Sequence, residues 1–409
     1  MRIALISYEF AGTANGGGIG TYARGTAAMM AARGHEVEVF TSAPADRWAV
    51  PAGVAVHAAC VEWERFPGAV ASLFAGRHIA RPFDVAEGPD FGAQAAEVAR
   101  SFPDLPLVVK LHTPTFVIDE IGHSYLSPLR KARFALGSLR RGRLPAPYWR
   151  YDPTGDPERQ HALAASEITA PSLAILELVR DRWNLEAERL AHIPNVFDPP
   201  ADLLELPLAT ATGRITYLGR LEARKGVIEL AEAMRLVLTC APATRFRLVG
   251  RALPHPATSE DLSVYMRRVL GPFAQAVEFI GGLPHAEVAR ALSDTDICVF
   301  PSIWENFPYV CLEAMAAGRG VIASSGGGMA EIIDDGRTGR LVQPRDARGL
   351  AEAMLEMLAD PAGRVAMGKE ARARVGAAYS SQVIGPLQEA SYRRAIEHGR
   401  PRHAPGAAR

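Results

Sequence analysis

Short apolar runs alternate with amphipathic stretches along the whole of this 409-residue chain. Strands covered on both faces read as continuous apolar runs, so the alternation is typical of parallel sheets with crossover helices. It predicts an α/β fold of two tandem Rossmann-like, doubly wound domains. Strands are expected over residues 2–8, 35–42, 53–59, 84–87, 106–112, 167–171, 190–194, 214–219, 245–249, 277–280, 296–301, 320–323 and 340–343. Helices are expected over residues 19–33, 226–239, 260–270, 285–293, 307–317, 329–334, 346–359, 363–377 and 381–398.

The domain boundary is predicted in a loosely patterned segment that follows the seventh strand and ends at Gly213. A chain of this length exceeds the size at which one core keeps growing. We predict a first domain over residues 1–197, a second over 198–380, and over 381–409 a helix that crosses back to the first domain, followed by a frayed tail. Ligands of doubly wound sheets bind outside the carboxyl ends of the strands, so a central cleft faced by both domains is the expected site.

Composition excludes several classes of protein. Lys+Arg and Asp+Glu both number 45, and zero net charge argues against a nucleic-acid partner. The four cysteines are scattered, without the spacing of a metal site or a disulfide framework, which fits a cytoplasmic protein. The N-terminus reads as a buried strand rather than a signal peptide, and no apolar run is long enough to cross a bilayer.

Two glutamates, Glu305 and Glu313, are the most informative residues for function. Pro308 suits the first turn of a helix and Gly318 the position after its end. Glu305 then precedes a helix N-terminus, which is a ready anion site, and Glu313 projects from its second turn among apolar residues. A buried carboxylate needs donors, and ligand hydroxyls would serve. The alternative is a solvated Glu305 and an internal ion pair at Glu313.

Cations and glycines supply further candidates for binding a diphosphate. Arg220 and Lys225 follow a predicted strand and could stabilise a departing diphosphate without a metal, whereas Arg224 suits an exposed basic turn. Gly17 and Gly18 lead into a helix, where bare backbone can approach a phosphate. The loop also fits a dinucleotide fingerprint, but the second strand lacks the acid that a nicotinamide site requires at its end.

His112 ends a predicted strand at the expected ligand edge, where catalytic and structural roles are equally open. Asp294 and Asp296 resemble the Asp-x-Asp metal site of one class of sugar transferases. They lie where a helix gives way to a strand, however, and Asp is common in such turns. We therefore predict no metal site and no cofactor.

A basic segment, residues 129–151, lies between the predicted strands 106–112 and 167–171. Between residues 121 and 151 there are seven basic residues and no acid, interleaved with leucines and aromatic residues. This composition indicates either a solvated face or peripheral contact with an anionic surface, such as the inner face of the membrane or a phosphorylated acceptor.

The ordered motifs resemble the retaining family-four glycosyltransferases of the GT-B fold over residues 1 to about 385. The motifs that carry the resemblance are the glycine loop 16–20, His112, residues 193–195, 219–220, 225–226 and 301–302, the Glu305/Glu313 pair and residues 327–332. The segment 115–160 matches no general family pattern. The family often has Gly-Asp-Gly where this chain has Gly250-Arg251-Ala252, which leaves the contact to the nucleotide base open.

The resemblance implies transfer of a sugar, with retention of configuration, from a UDP- or GDP-sugar to a hydroxyl of a sugar, lipid-linked or small-molecule acceptor. Polysaccharide or glycolipid biosynthesis is the implied context, with the first domain on the acceptor side and the second binding the nucleotide sugar. The resemblance implies that Glu313 binds the ribose and that Glu305, Asn306 and Phe307 bind the donor sugar. It implies that the diphosphate is bound by Arg220, Lys225, Gly17 and Gly18. It also implies that His112 lies near the anomeric carbon and that the base contacts Gly250 and the 281–283 loop with Leu283.

Three other functions remain open at this point. An inactive sugar-nucleotide-binding protein would bind a donor without consuming it. A GT-B-fold epimerase or phosphorylase would convert donor without an acceptor or would require phosphate. A nicotinamide oxidoreductase would bind its cofactor.

Overall fold

A computed structural model describes residues 1–11, 17–46, 50–142 and 147–399. The described residues form two compact units. The first unit is built from Met1–Thr115, Asp152–Asp198 and the chain from Ala378 onward, and the second from Phe116–Tyr151 and Pro199–Ala377. Each unit contains one parallel sheet, which confirms the predicted α/β fold with two Rossmann-like domains.

The sheet of the first unit has seven strands in the order β3-β2-β1-β4-β5-β6-β7. Its strands are β1 (Arg2–Ile6), β2 (Glu36–Thr41), β3 (Val54–Ala58), β4 (Val85–Pro89), β5 (Leu107–Lys110), β6 (Glu167–Ala170) and β7 (Leu190–His192). The strand order reverses direction between β1 and β4, so this is the point where a doubly wound sheet binds its ligand.

The sheet of the second unit has six strands in the order β10-β9-β8-β11-β12-β13. Its strands are β8 (Arg214–Leu218), β9 (Arg245–Val249), β10 (Val277–Gly281), β11 (Ile297–Phe300), β12 (Gly320–Ser324) and β13 (Arg340–Val342). Here the order reverses between β8 and β11, which places Gly219 and Pro301 at the expected ligand edge.

The helices cover both faces of the two sheets. They are α1 (Gly18–Ala32), α2 (Phe66–Ala80), α3 (Ala96–Ser101), α4 (Thr115–Ser124), α5 (Pro128–Arg140), α6 (Pro157–Leu163), α7 (Leu173–Trp183), α8 (Ala201–Leu204), α9 (Val227–Cys240), α10 (Leu262–Leu270), α11 (Val288–Ser293), α12 (Tyr309–Ala316), α13 (Met329–Ile332), α14 (Ala347–Ala359), α15 (Pro361–Tyr379) and α16 (Ser381–His398). No helix in the described ranges is long and apolar enough to span a bilayer.

The last helix, α16, packs on the first unit. Ile384, Tyr392 and Ala395 lie in the same buried cluster as Ile3 and Val85 of the first sheet. Their burial removes apolar surface from water, which is the main favourable term in holding such a helix in place.

The helix after Pro308 begins later than the sequence predicts. The predicted span is 307–317, but the structure has Tyr309–Ala316. Pro308 has extended backbone angles and forms the N-cap of the helix. In the loop before it, Glu305 pairs with Gly327 in an isolated parallel bridge.

Candidate active site

Three loops meet at the carboxyl ends of β8, β11 and β12 in the second unit. The Ile303 amide donates to the Arg224 carbonyl at 2.8 Å, which joins the first loop to the second. The Glu305 amide donates to the Gly326 carbonyl at 3.2 Å, and the Gly328 amide donates to the Glu305 carbonyl at 2.8 Å. These backbone contacts fix the position of Glu305 with respect to both neighbouring strands.

Two glycines allow the loops to approach this closely. Gly226 has a φ of +70°, and a Cβ at this position would lie 1.8 Å from the Pro301 carbonyl oxygen. Gly250 has a φ of +150°, and a Cβ there would lie 1.8 Å from the Gly219 carbonyl oxygen. Both positions therefore require glycine for the backbone angle and for the absence of a side chain.

The Glu305 carboxylate is buried and paired with two cations. Lys225 Nζ forms an ion pair with Oε2, and Arg224 Nη1 lies 3.4 Å from Oε1. Arg224 also donates to the Trp304 carbonyl at 3.2 Å and to Glu222 at 2.8 Å. The alternative interpretation of Glu305 as a solvated loop residue is therefore wrong, because its side chain lies within a cluster of charged groups.

Burial opposes ionisation of Glu305, but the attraction of Lys225 and Arg224 outweighs it and lowers the pKa of the carboxyl to about 2. Glu305 is consequently a carboxylate throughout the neutral range. A group of this kind can accept hydrogen bonds from sugar hydroxyls, but it is not a proton donor at neutral pH.

The sequence interpretation of the basic turn is wrong for Arg224. We expected Arg224 to be its most exposed residue, but the guanidinium is buried against Glu305 and Glu222. Arg220 is the exposed one: 60% of its side chain is accessible, and its nearest carboxylate is Glu222 at 3.3 Å. The turn therefore offers one accessible guanidinium beside a buried cluster in which Arg224 and Lys225 meet Glu305.

Helix α12 presents its N-terminus next to this cluster. No side chain caps it, since its N-cap is Pro308. The preceding residues Asn306 and Phe307 are both buried, and Glu313 is 4% exposed in the second turn of the helix. The helix dipole and its uncapped amides favour an anion at this end.

The two loops predicted to contact a nucleotide base are neighbours. The Gly250 amide donates to the Gly281 carbonyl at 2.6 Å, at the carboxyl ends of β9 and β10. Leu283 is half-buried just beyond Gly281. These loops lie on adjacent strands of the same sheet that carries Glu305.

In the first unit, the glycine loop runs into α1 with Gly17 as its N-cap. Residues 15 and 16 lie outside the described residues. Gly17 and Gly18 are exposed, and nothing lies within 4 Å of a Cβ built on Gly18. Glu9, which the motifs did not indicate, also lies at this loop, and its carboxylate accepts a hydrogen bond from the Gly20 amide at 3.3 Å.

His112 lies at the carboxyl end of β5 and lines a small pocket. Tyr22, Glu87 and Ser7 are among the other lining residues. The His112 amide donates to Asp90 Oδ1 at 2.8 Å, and its ring meets the Tyr22 ring edge-on at 5.1 Å. Burial and the neighbouring Lys110 ammonium lower the pKa of His112, so its imidazole is neutral at neutral pH.

A buried polar network around Glu87 at this pocket was also not predicted from the sequence. Glu87 accepts hydrogen bonds from Tyr22 at 2.8 Å and from Gln388 and Tyr392 of α16 at 2.9 Å. Glu87 lies inside an apolar strand, and a charged residue in such a run always requires partners. That signal was present in the sequence.

Asp294 and Asp296 have structural contacts. Asp296 accepts from the amides of Thr212 at 3.0 Å and Gly213 at 2.8 Å, and Asp294 pairs with Arg247 at 2.7 Å. Across the described ranges no cluster of three or more His, Cys, Asp or Glu side chains is arranged to hold a metal ion.

Comparisons with known proteins place the chain in a family. The family model of the glycosyl transferase 4-like domain matches residues 17–196, and that of the glycosyl transferases group 1 matches residues 212–360. The glycogen synthase of Mycobacterium tuberculosis is 28% identical over 94% of this chain and 92% of its own length. A GDP-mannose-dependent monoacylated alpha-(1-6)-phosphatidylinositol monomannoside mannosyltransferase of Corynebacterium glutamicum is 32% identical over 46% of this chain and 49% of its own length.

Solved structures agree on the fold. The sucrose-phosphate synthase of Thermosynechococcus elongatus superposes with a TM-score of 0.69 at 24% identity, covering 97% of this chain and 99% of that one. The Anabaena protein HepE, solved in complex with UDP and glucose, superposes with a TM-score of 0.67 at 19% identity, covering 95% and 99%.

The chain belongs to the retaining family-four, or group 1, glycosyltransferases of the GT-B fold. It is a hexosyltransferase that takes its sugar from a nucleotide-sugar donor.

Proposed function

We propose that the protein moves a hexose from a UDP- or GDP-sugar to a hydroxyl of a sugar, lipid-linked or small-molecule acceptor, in the biosynthesis of a polysaccharide, glycolipid or related glycoconjugate. The observation that carries this proposal is the cluster of Glu305, Lys225 and Arg224 beside the uncapped N-terminus of α12 and the exposed Arg220. This arrangement combines cations for a diphosphate with a carboxylate for sugar hydroxyls.

The diphosphate is assigned to Arg220, Lys225 and the first amides of α12. Arg220 has an accessible planar fork that matches phosphate oxygens, and Lys225 is a compact charge held in place by Glu305. Fixed positive charge aimed at a leaving group lowers the barrier to its departure without reorganisation during the reaction. Gly17 and Gly18 of the first unit, both exposed residues, are further proposed contacts of the diphosphate.

The sugars of the donor are assigned to the carboxylates. Glu313, in the second turn of α12, is the proposed partner of the ribose hydroxyls, and Glu305 with Asn306 and Phe307 the proposed partner of the transferred hexose. The Gly250 and Leu283 loops are the proposed contacts of the base. His112 is the proposed neighbour of the reacting carbon, where a neutral imidazole can accept or donate a hydrogen bond to a hydroxyl.

Retention follows when the acceptor hydroxyl attacks on the face from which the diphosphate leaves. A leaving phosphate oxygen then takes the acceptor proton, and no protein nucleophile is required. The protein contributes position and charge stabilisation, which are the two largest sources of catalysis for such a transfer.

Nucleotide-sugar binding should raise the melting temperature of the protein in a donor-dependent manner. We expect UDP-glucose or GDP-mannose to stabilise it more than ADP-glucose does, because a ligand at 100 times its dissociation constant stabilises by about 2.7 kcal/mol. Strongest stabilisation by ADP-glucose would contradict the proposed donor. The sugars alone, at equal concentration, are the control. The measurement is a thermal-shift series followed by NMR of the donor's anomeric signal.

The same series separates the alternatives. Binding without donor hydrolysis or transfer would indicate an inactive sugar-nucleotide-binding protein. Conversion of donor without an acceptor into another nucleotide sugar would indicate an epimerase, and dependence on free phosphate a phosphorylase. Stabilisation by none of the three donors would contradict the proposal.

We further propose that the enzyme is cytoplasmic and makes peripheral contact with the inner membrane surface through the basic segment 129–151. Helix α5 exposes Leu129, Leu136 and Leu139 to solvent, with 61%, 56% and 57% of each residue accessible. These positions fall on one face of the helix, and Arg133 and Arg140 border one edge of it. Exposed leucines bordered by arginines match the interface of an anionic bilayer.

The arginines beside this leucine face should contribute to binding of anionic vesicles. Replacement of Arg133 and Arg140 together by glutamate is expected to weaken binding to phosphatidylglycerol-containing vesicles by about 10-fold or more, since each cation near an anionic surface contributes about 1 kcal/mol. Co-sedimentation with and without phosphatidylglycerol measures the effect. The control is R348E, which reverses an exposed charge of α14. Equal binding to neutral vesicles, or an equal loss in the control, would argue for a merely solvated face.

A further inference from the structure

Two buried carboxyl groups lie under the turn that carries His112 in the first unit. Asp90 follows β4 and is 0% exposed, and Glu158 begins α6 and is 3% exposed. Neither residue belongs to the motifs that define the predicted site. Both bond to the backbone of residues 112–115, the turn that leads from the end of β5 into the first residue of α4.

Glu158 uses both of its oxygens as acceptors. Oε2 accepts from the Thr115 amide at 2.8 Å. Oε1 accepts from the Gly92 amide at 2.8 Å and from the Thr115 hydroxyl at 2.6 Å. Each oxygen therefore faces a backbone N–H, which is the arrangement that suits an ionised carboxylate.

Asp90 uses only one of its oxygens. Oδ1 accepts from the His112 amide at 2.8 Å. Oδ2 is buried and has no hydrogen-bond partner within the described parts of the chain. A full negative charge on such an oxygen would be costly, because no donor among the described residues compensates it.

The electrostatics of the two groups agree with this geometry. Burial, and after it the negative charge of Glu158, raises the pKa of Asp90 well above its usual range, although backbone N–H donors, among them that of His112, oppose the shift. Burial also raises the pKa of Glu158, but the Gly92 and Thr115 donors oppose that shift. Since only Asp90 has an oxygen without a donor, the proton of the pair resides on Asp90.

We propose that Asp90 and Glu158 are positioning residues for His112, with a neutral Asp90 holding the first residue of the turn and an ionised Glu158 holding the last. The proposal deepens the glycosyltransferase function, on which it depends for the role of His112. Two clamps at the ends of a four-residue turn fix the backbone from which the imidazole projects. A displacement of about 1 Å at such a position is enough to slow a reaction markedly.

Asp90 and Glu158 differ in whether an amide can replace the carboxyl group without disturbing the turn. Asp90→Asn can keep an oxygen on the His112 amide and place its NH₂ where Oδ2 has no donor, so it should preserve the turn. Glu158→Gln cannot do the same. Oε1 and Oε2 each accept from a different backbone N–H, so either orientation of the new amide sets NH₂ against an N–H donor.

Hydrogen exchange tests the geometry independently of catalysis. We expect the amides in peptides spanning residues 107–117 to exchange at wild-type rates, within about 3-fold, in D90N. In E158Q they should exchange about 10-fold faster, the scale expected when a buried donor loses its acceptor. D104N, which changes an exposed carboxylate of the same unit, is the matched control. Equal exchange in D90N and E158Q would overturn the assignment of the proton.

Kinetics test the link to function. With UDP-glucose or GDP-mannose as the probe, donor hydrolysis by D90N should keep its kcat within about 3-fold of wild type. In E158Q and in D90L, kcat should fall about 10-fold or more while KM changes by less than about 2-fold, because the donor-binding groups are untouched. A loss in D90N equal to that in D90L, or a change confined to KM, would overturn the positioning role.

Failure of this inference and failure of the proposed function give different results. If the wild type hydrolyses neither donor, the glycosyltransferase function loses its support, whereas the exchange experiment still decides how the turn is held. If the wild type is active and the exchange rates of D90N and E158Q agree, only the positioning inference fails.

Discussion

Replacement of Lys225 by alanine is expected to lower turnover by about 100-fold or more, the scale seen when one preorganised electrostatic group is lost from an active site. Lys225 is the cation paired with Glu305 in the second unit, beside the uncapped N-terminus of α12. Its removal deprives the leaving diphosphate of a fixed positive charge. Steady-state donor turnover, by hydrolysis or transfer, is the measurement.

Replacement of Glu305 by alanine should lower turnover to a similar extent, and the double variant should lose much less than the product of the two. Residues that share one ion pair act as a unit, so their effects do not add. Glu305→Ala also leaves two buried cations without their carboxylate, and breaking a buried pair costs about 3–5 kcal/mol. Turnover must therefore be compared below the lowest melting temperature of the set.

The matched control is Arg348→Ala. Arg348 pairs with Glu352 on the exposed face of α14, with 86% of its side chain accessible. We expect this variant to retain wild-type turnover and stability, because exposed pairs contribute little. Wild-type turnover in K225A or E305A, with the protein folded, would refute the proposed site.

Replacement of Gly226 by alanine is expected to destabilise the second unit by about 3 kcal/mol or more. The new Cβ would lie 1.8 Å from the Pro301 carbonyl oxygen, and the φ of +70° is unfavourable for any other residue. The loop carrying Glu305 would have to separate from the turn carrying Lys225. Denaturant unfolding gives the free energy, and turnover should fall with it.

Gly336→Ala is the control for the backbone angle alone. Its φ is +76°, but nothing lies within 4 Å of a Cβ at that position. We expect a loss of only about 1–2 kcal/mol, the cost of a left-handed conformation. If Gly226→Ala were no more destabilising than Gly336→Ala, the close approach of the two loops would be wrong.

The fold was predictable from sequence because the apolar runs are distinct. All the strands predicted from them are found in the structure, within a residue or two at their ends. The error at α12 arose from Pro308, which suits the first turn of a helix but here forms the N-cap. The loop before this helix also contains the pairing of Glu305 with Gly327, which joins residues distant in sequence, and local pattern does not report such contacts.

The candidate site was predictable where its residues follow a strand end. Lys225 was identified because it follows a predicted strand and Glu305 because it precedes a predicted helix, and the structure brings them into contact. Arg224 was assigned to solvent because a run of three turn residues has no periodicity from which to infer burial. Its side chain is buried by Glu305, which lies 81 residues away along the chain.

Asp90 and Glu158 could not be found from the sequence. They are 68 positions apart, and both hold the same turn through their contacts with His112 and Thr115. Each alone reads as an ordinary acid near a strand end or a helix start. The roles of His112, Glu313 and the other candidate residues remain predictions.

The position of a bound diphosphate tests the central claim most directly. In crystals soaked with UDP or GDP, the account predicts that the diphosphate contacts Arg220, Lys225 and the first amides of α12, with Glu313 at the ribose. A diphosphate bound away from these groups, with Lys225 and Glu305 still paired and untouched, would contradict it.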